Sequence, residues 1–281
     1  LLPPIRRARD YRLYAENGRR FLDLWQDGGR GALGAKGTGL GTLLKAEVDR
    51  GRAKPLPSLA EARLEKEILA RWPGYAALRF YANAERAEAA LARAFGQGRA
   101  FGPSGAMGDR GLVFDPARRG EAGAEGAGGN SPALLLRPFG EHFIEEGEAV
   151  KYRAAVLLLP CPAAFAPVPL LFSRAEDAAS LEGDLVPPMA LACAYRSLRE
   201  FAAYSKRVDE AFWRRADKRT ARLFERVGPF LYPRCASGAY AELFKAALAR
   251  GVLLSPDYCL PSLIPGDFDE GELKGIERIE L

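Results

Sequence analysis

Ala154-Ala155-Val156-Leu157-Leu158-Leu159-Pro160-Cys161-Pro162, then a short Ala- and Pro-rich stretch, then Val168-Pro169-Leu170-Leu171-Phe172: this run carries no charge and is nearly long enough to cross a bilayer. Pro160, Pro162, Pro167 and Pro169 argue against a spanning helix, because each removes a backbone donor and clashes with the preceding turn. The run reads instead as two short strands, Ala155–Leu159 and Val168–Phe172, joined by a proline-rich loop. Strands that are apolar at every position belong in a sheet covered on both faces. The expected protein is soluble, with no membrane partner.

Working outward, Ala77-Leu78-Arg79-Phe80-Tyr81 reads as another strand, followed by a helix over Ala84 to Phe95 with Ala87, Ala90, Leu91 and Ala94 on one face. Gly111–Asp115 and Leu134–Arg137 add short strands, and Ser58 caps a helix carrying Leu64, Ile68 and Leu69 that Pro73-Gly74 stops. Several apolar strands interspersed with helices predict an α/β fold: a reduced, mainly parallel three-layer α/β/α large domain.

The flanks differ in character. On the N-terminal side, residues 10–25 form a hairpin around Glu16-Asn17-Gly18-Arg19, and a glycine-dense loop leads to Thr42 as cap of a helix over 43–50. On the C-terminal side, three- and four-residue apolar steps predict a long helix from Met189 to Phe212, resuming through Leu223, Phe224 and Val227 until Gly228-Pro229. Strand Phe230–Tyr232, helix Tyr240–Arg250, strand Val252–Leu254 and helix Phe268–Ile279 complete an α+β small domain. The expected organisation is a hairpin and arm (1–54) packing with the small domain (184–281), around a large domain (55–183).

The 281 residues are 48% hydrophobic and 27% charged, enough apolar mass for a sizeable core, and 30 Gly with 20 Pro exclude a coiled coil. Four separated cysteines with no C-x-x-C pair argue against a disulfide framework or structural zinc and for reduced thiols in the cytoplasm, and one histidine, His142, rules out a His-rich metal cage. The +5 charge sits in the first fifth, where 12 Lys and Arg face 6 Asp and Glu. There Arg6, Arg7, Arg9, Arg12, Arg19 and Arg20 are interleaved with acids and lack stacking aromatics, so a solvated arm or interface is expected and nucleic acid is not. The chain opens Leu1-Leu2-Pro3-Pro4 without an apolar leader core, so no targeting segment is expected.

The two ends resemble one family. Tyr14-Ala15-Glu16-Asn17-Gly18-Arg19-Arg20-Phe21-Leu22-Asp23 with Gly28-Gly29 and Gly34, the stretch Pro187 to Leu198, and Leu243-Phe244 through Gly251-Val252-Leu253-Leu254-Ser255-Pro256 stand in the order and spacing of the fold type I pyridoxal-phosphate (PLP) enzymes, class III aminotransferases. The resemblance covers roughly half the chain and implies a PLP-dependent transferase fold and a two-fold homodimer, with residues 25–50 at or near the interface. It also implies a substrate entrance near Trp25, Asp27, Gly28, Gly29 and Arg30, against which stands a plain turn, and a small amino or keto acid as ligand.

The middle departs from that pattern. The family's Asn-Ser-Gly-Thr-Glu-Ala phosphate cradle is replaced by Asn83-Ala84-Glu85-Arg86-Ala87, without glycine or hydroxyls and with an acid where phosphate would sit. No Asp-Glu-Val strand or Gly-Lys strand end is recognisable between Leu112 and Leu185, where the one lysine, Lys151, sits among charges that keep it protonated. His142 has no nucleophile at a recognisable elbow and reads as a surface residue. The chain is therefore expected to be a degenerate, non-catalytic aminotransferase-like protein with a binding or regulatory role and no cofactor. The alternative is an active PLP enzyme with a rebuilt site, using Lys151 or another lysine.

Overall fold

The computed structural model describes residues 2–35, 39–96, 112–119, 132–144 and 148–280. The chain divides into two compact units, Leu1–Thr38 with Glu200–Leu281, and Gly39–Arg199. The first boundary lies nearer the N-terminus than the expected 54/55 and the second beyond 183/184.

The first unit opens with strands β1 (Ile5–Arg9), β2 (Arg12–Ala15) and β3 (Arg20–Asp23), an antiparallel meander. The hairpin turns at Gly18, whose φ of 80° suits glycine. The arginine-rich arm expected to be solvated is thus partly a paired edge strand, its charged side chains suited to an edge.

In the second unit, α1 (Leu40–Asp49) starts from Gly39 in a left-handed conformation, and Thr42, expected as its cap, lies inside the helix. Helix α2 (Leu59–Arg71) follows, with the Ser58 hydroxyl accepting from the Ala60 N–H. Strand β4 (Ala77–Tyr81), helix α3 (Ala84–Phe95) and strands β5 (Val113–Phe114), β6 (Ala133–Leu136), β7 (Ala154–Leu157) and β8 (Val168–Phe172) follow close to their expected places, and a short helix α4 (Ala175–Ala179), not expected, comes after them. The sheet order is β4-β8-β7-β6-β5. Strand β8 pairs antiparallel with both β4 and β7, while β7, β6 and β5 pair in parallel, so every strand except β8 runs the same way. Alternate strand residues face two cores. Leu78, Leu134, Leu136, Ala155, Leu157 and Leu171 pack with residues of α2 and of α5 (Pro188–Tyr204). Leu135, Val156, Leu170 and Phe172 pack with Ala87 and Leu91 of α3 and Ala178 of α4. This is a three-layer α/β/α arrangement, and it accounts for strands apolar at every position.

The long helix ends at Tyr204, before the expected Phe212, and a separate α6 (Glu210–Arg214) is capped by Asp209, whose carboxylate accepts from the Phe212 N–H. After α7 (Asp217–Thr220), residues expected to resume a helix form β9 (Phe224–Val227), which turns at Gly228-Pro229 into β10 (Phe230–Pro233). Phe224 is fully buried in this hairpin, whereas Val227, three residues on and so on the other face of the strand, is only half-buried. Helix α8 (Ser237–Ala249) leads through Gly251 into β11 (Val252–Leu253), which pairs in parallel with β3 and so joins the two ends of the chain in one sheet. A Cβ on Gly251 would stand 2.9 Å from the Arg20 carbonyl oxygen, and its φ is 81°, so glycine is required twice over. Strand β12 (Ser262–Leu263) joins β10, and the expected helix Phe268–Ile279 shrinks to α9 (Lys274–Glu277).

Candidate functional site

In the second unit the codirectional strands bring the carboxyl ends of β4, β5, β6 and β7 to one edge of the sheet, where open α/β sheets place their ligands. At the end of β4, the Asn83 side chain accepts from the Arg86 N–H and so caps α3. Ala84, Glu85 and Arg86 form the first turn. The Arg86 guanidinium grips the Asp184 carboxylate through Nε at 3.0 and 3.1 Å and through Nη2, and Asp184 Oδ2 also accepts from the Ala82 N–H at 3.0 Å. The Arg86 hydrogen bonds, against partial burial and with help from the Ala82 N–H, hold the Asp184 carboxyl below the usual carboxylate range. A carboxylate of this chain thus already sits beside the start of α3, on the residue before its cap.

At the other edge, Arg137 follows β6 and Asp115 follows β5, and the two form an ion pair with side chains 4% and 2% exposed. Asp115 Oδ1 also accepts from the Ala117 N–H at 3.1 Å. Beyond β7 stand Leu159 and Cys161, both fully buried. Burial, with Cys161 and Glu47 as nearby groups, pushes the Cys193 thiol up to about 12, so it is no thiolate nucleophile at neutral pH.

Lys151 lies elsewhere. It precedes β7, whose first residue Ala154 is in register with Phe172, itself opposite Ala77 at the start of β4. The exposed Lys151 is therefore at the amino end of the sheet, while Asn83–Arg86 are beyond the carboxyl end, separated by the length of β4, roughly 13 Å at 3.3 Å per residue. His142 is half-buried in a short 3-10 turn after β6.

Trp25, Asp27, Gly28, Gly29 and Arg30 belong to the first unit, where Gln26–Gly29 form a tight turn with four successive positive φ values, 47°, 48°, 66° and 110°. The strain is held by hydrogen bonds: Asp23 Oδ1 accepts from the Trp25 and Gln26 N–H groups at 2.9 Å, and the Gln26 side chain donates to the Leu263 carbonyl. Burial raises the carboxyl of Asp27, with Arg30 opposing. Trp25 is 36% exposed. A cavity of about 400 Å³ in the same unit is lined by Arg12, Arg20, Asp269, Gly271 and Glu272, with Arg12 bidentate on Glu272 at 2.9 and 2.8 Å.

Sequence reasoning missed Asp184 and the Arg137–Asp115 pair. A signal for the second was present, since a cation directly after four apolar strand residues must find a buried partner. Asp184 left none, because its partner lies 98 residues away. Among the described residues no group of metal-ligating side chains could hold an ion, and no helix is long and apolar enough to cross a membrane.

No protein-family model matches the chain. It is 29% identical over 285 residues to an uncharacterized protein of Treponema pallidum (strain Nichols), covering 93% of this chain and 88% of the relative. It is 23% identical over 278 residues to an uncharacterized protein of Borreliella burgdorferi, covering 99% and 90%. Among solved structures it is similar to a glutamate-1-semialdehyde aminomutase from Pseudomonas aeruginosa PAO1, at TM-score 0.67 and 14% identity over 98% of this chain and 85% of that one. An N-acetylornithine aminotransferase from Stenotrophomonas maltophilia K279a gives TM-score 0.63 and 17% identity, over 98% and 93%. The FumI protein of Sphingopyxis sp. MTA144, solved in a PLP internal aldimine form, gives 0.68 and 15% over 99% and 89%. These likenesses extend over nearly the whole chain, and on them the protein has the fold of the PLP-dependent aminotransferases.

Proposed function

We propose that this chain is a degenerate aminotransferase homologue that keeps the fold for a binding or regulatory role and does not carry out PLP chemistry. The observation that carries this reading is the position of Lys151 at the amino end of β7, across the sheet from the first turn of α3. A Schiff-base lysine and the phosphate of one cofactor molecule must be served from the same edge. Between Leu112 and Leu185 the sequence contains no other lysine.

The other residues agree with it. When bound, PLP supplies an electron sink for carbon–nitrogen chemistry and needs a phosphate cradle, a partner for its ring nitrogen and a lysine. Here Asp184 sets a negative charge beside the start of α3, on the Ala82 N–H and the Arg86 guanidinium, and Arg137 at the end of β6 is engaged with Asp115. Residues placed this way do not suit the group. The neighbours' aminotransferase chemistry favours the alternative of a working enzyme with a rebuilt site, and one experiment separates the two. The protein is expressed with PLP in excess, reduced with borohydride and digested. No pyridoxyllysine peptide is expected, and near-stoichiometric recovery of one overturns the reading.

The ligand class proposed is a small amino or keto acid, and the assembly proposed is a homodimer that uses residues 25–50, among which Trp25 of the first unit and Val48 of the second are each exposed apolar side chains. Light scattering at micromolar concentration tests the dimer, and a monomer there removes it.

A further inference from the structure

Strand β4 is the edge strand of its sheet, yet its outer edge is covered. Segment 181–185 runs along it as a strap: the Asp184 N–H donates to the Phe80 carbonyl at 2.8 Å, and a Cβ on Gly183 would stand 3.1 Å from the Phe80 oxygen, so the close approach depends on glycine. Between this strap and α2 lies a groove of about 290 Å³ walled by Glu61, Glu65, Phe80 and Leu185. Its other charged groups are engaged: Arg79 donates to the carbonyls of Leu78, Leu181 and Ala178 at 2.8, 2.9 and 3.3 Å, and Asp184 is held by Arg86. Glu61 and Glu65 stand about one helical turn apart, and among the described residues no cation pairs with either. Burial, with Glu65 as neighbour, pushes the Glu61 carboxyl up, and like charges at this spacing weaken a helix. Beside them Leu59 and Leu185 are 76% and 57% exposed, and Leu56, just before α2, is 48% exposed. Exposed leucines next to unpaired carboxylates suit a segment that is apolar and then basic.

The chain itself carries such a segment. Leu2 is exposed, as are Arg6, Arg7 and Arg9 of β1, the outer strand of its sheet, in the fifth of the sequence that holds the excess positive charge. Among the described residues no group pairs with Arg6; Arg7 rests on the Tyr14 ring, and Arg9 meets Asp10 at 3.6 Å with both side chains more than half exposed. Arg7 and Arg9 share a strand face about 6.6 Å apart at 3.3 Å per residue, close to the rise of about 6 Å between Glu61 and Glu65. We infer that the arm of one copy docks on this groove of a second copy, with Arg7 and Arg9 on the glutamate pair and Leu2 against the exposed leucines. Reciprocal docking makes the contact twice, as two-fold symmetry requires. The contact uses neither Trp25 nor Val48, so it stands apart from the surface proposed above.

The test is sedimentation velocity of the full chain at micromolar concentration and low salt, with folding checked by circular dichroism. It compares the native protein, Arg7→Glu with Arg9→Glu, Glu61→Arg with Glu65→Arg, and an equimolar mixture of these two double variants. The native chain is expected to associate, and each double variant alone to associate at least about tenfold more weakly. The mixture should regain the native strength, because the charges have only changed sides, and about 0.5 M salt should weaken native and mixture alike. If Glu61→Arg with Glu65→Arg does not fold, Glu61→Gln with Glu65→Gln removes the charge alone and must also weaken association. A folded double variant that associates like the native chain overturns the inference, as does a mixture no stronger than its parts or failure of both groove variants to fold. A monomeric native chain overturns it too, and hands the groove to a basic segment of another protein. Val48→Asp separates this contact from the surface around residues 25–50. If that change abolishes association while both charge-reversed variants keep it, only the arm contact falls; if the reverse holds, only the other surface does.

Discussion

Two guanidinium–carboxylate pairs stand at the same end of one sheet, on its opposite edges, and burial makes them different objects. Arg137 and Asp115, after β6 and β5, are sealed from water, whereas Arg86 is 63% exposed against an Asp184 that is 10% exposed. A sealed pair has exchanged two hydration shells for each other, so removing either partner leaves a stranded charge. An open pair competes with water throughout, so its loss costs the fold little. The first is therefore part of how the sheet edge is built, and the second is a latch that can be changed with the fold intact.

The largest effect separates them outright. Asp115→Ala is expected to lower unfolding free energy by about 3–5 kcal/mol by removing the buried carboxylate that Arg137 pairs with, read from the urea midpoint, and replacing both residues by Leu and Met should recover most of it. A single-variant loss as small as that of Asp184→Asn would erase the contrast. Next comes Gly183→Ala, which presses the strap against the Phe80 carbonyl and should cost about 1–3 kcal/mol, with faster hydrogen exchange at the Asp184 amide. Unchanged exchange would detach the strap from the latch. Asp184→Asn should change stability little, and what it does change should fade in high salt, while the Asp115 effect persists.

The smallest effect is in pH. Because Asp184 titrates lower folded than unfolded, its contribution is complete above the ordinary aspartate value, about 3.9, and is lost as pH falls through the lower folded value. Native and Asp184→Ala stabilities should therefore differ most at neutral pH and converge in acid. A difference that grows in acid contradicts the assigned direction.

The five-stranded sheet was legible because burial on both faces forces runs such as Ala154–Leu157, and Ser58 declares its helix by capping chemistry. The C-terminal segment was less so. Leu223, Phe224 and Val227 carry a spacing compatible with helix, and only pairing with β10 makes a strand of residues 224–227. Ser262–Leu263 is too short to register as a strand until β10 offers its edge. At the candidate site Asn83 reads as part of a lost cradle and the structure makes it the cap of α3, while Asp184 could not be read as a neighbour, since an acid in a loop says nothing of which strand edge it will meet. The same holds for Asp115, whose partner is fixed by the parallel register of β5 and β6.

The parallel pairing of β3 with β11 ties Leu22 to Val252. During synthesis, the hairpin must therefore wait through more than two hundred residues before its last neighbour emerges, while the unit ending at Arg199 already has all its strands. Folding on the ribosome is thus ordered from the inside outward: the inserted unit is finished first, and the unit that begins the chain is finished last. Until then the open edge of β3 is exposed to pairing with other chains, and the charged β1–β2 side of the meander offers it no protection.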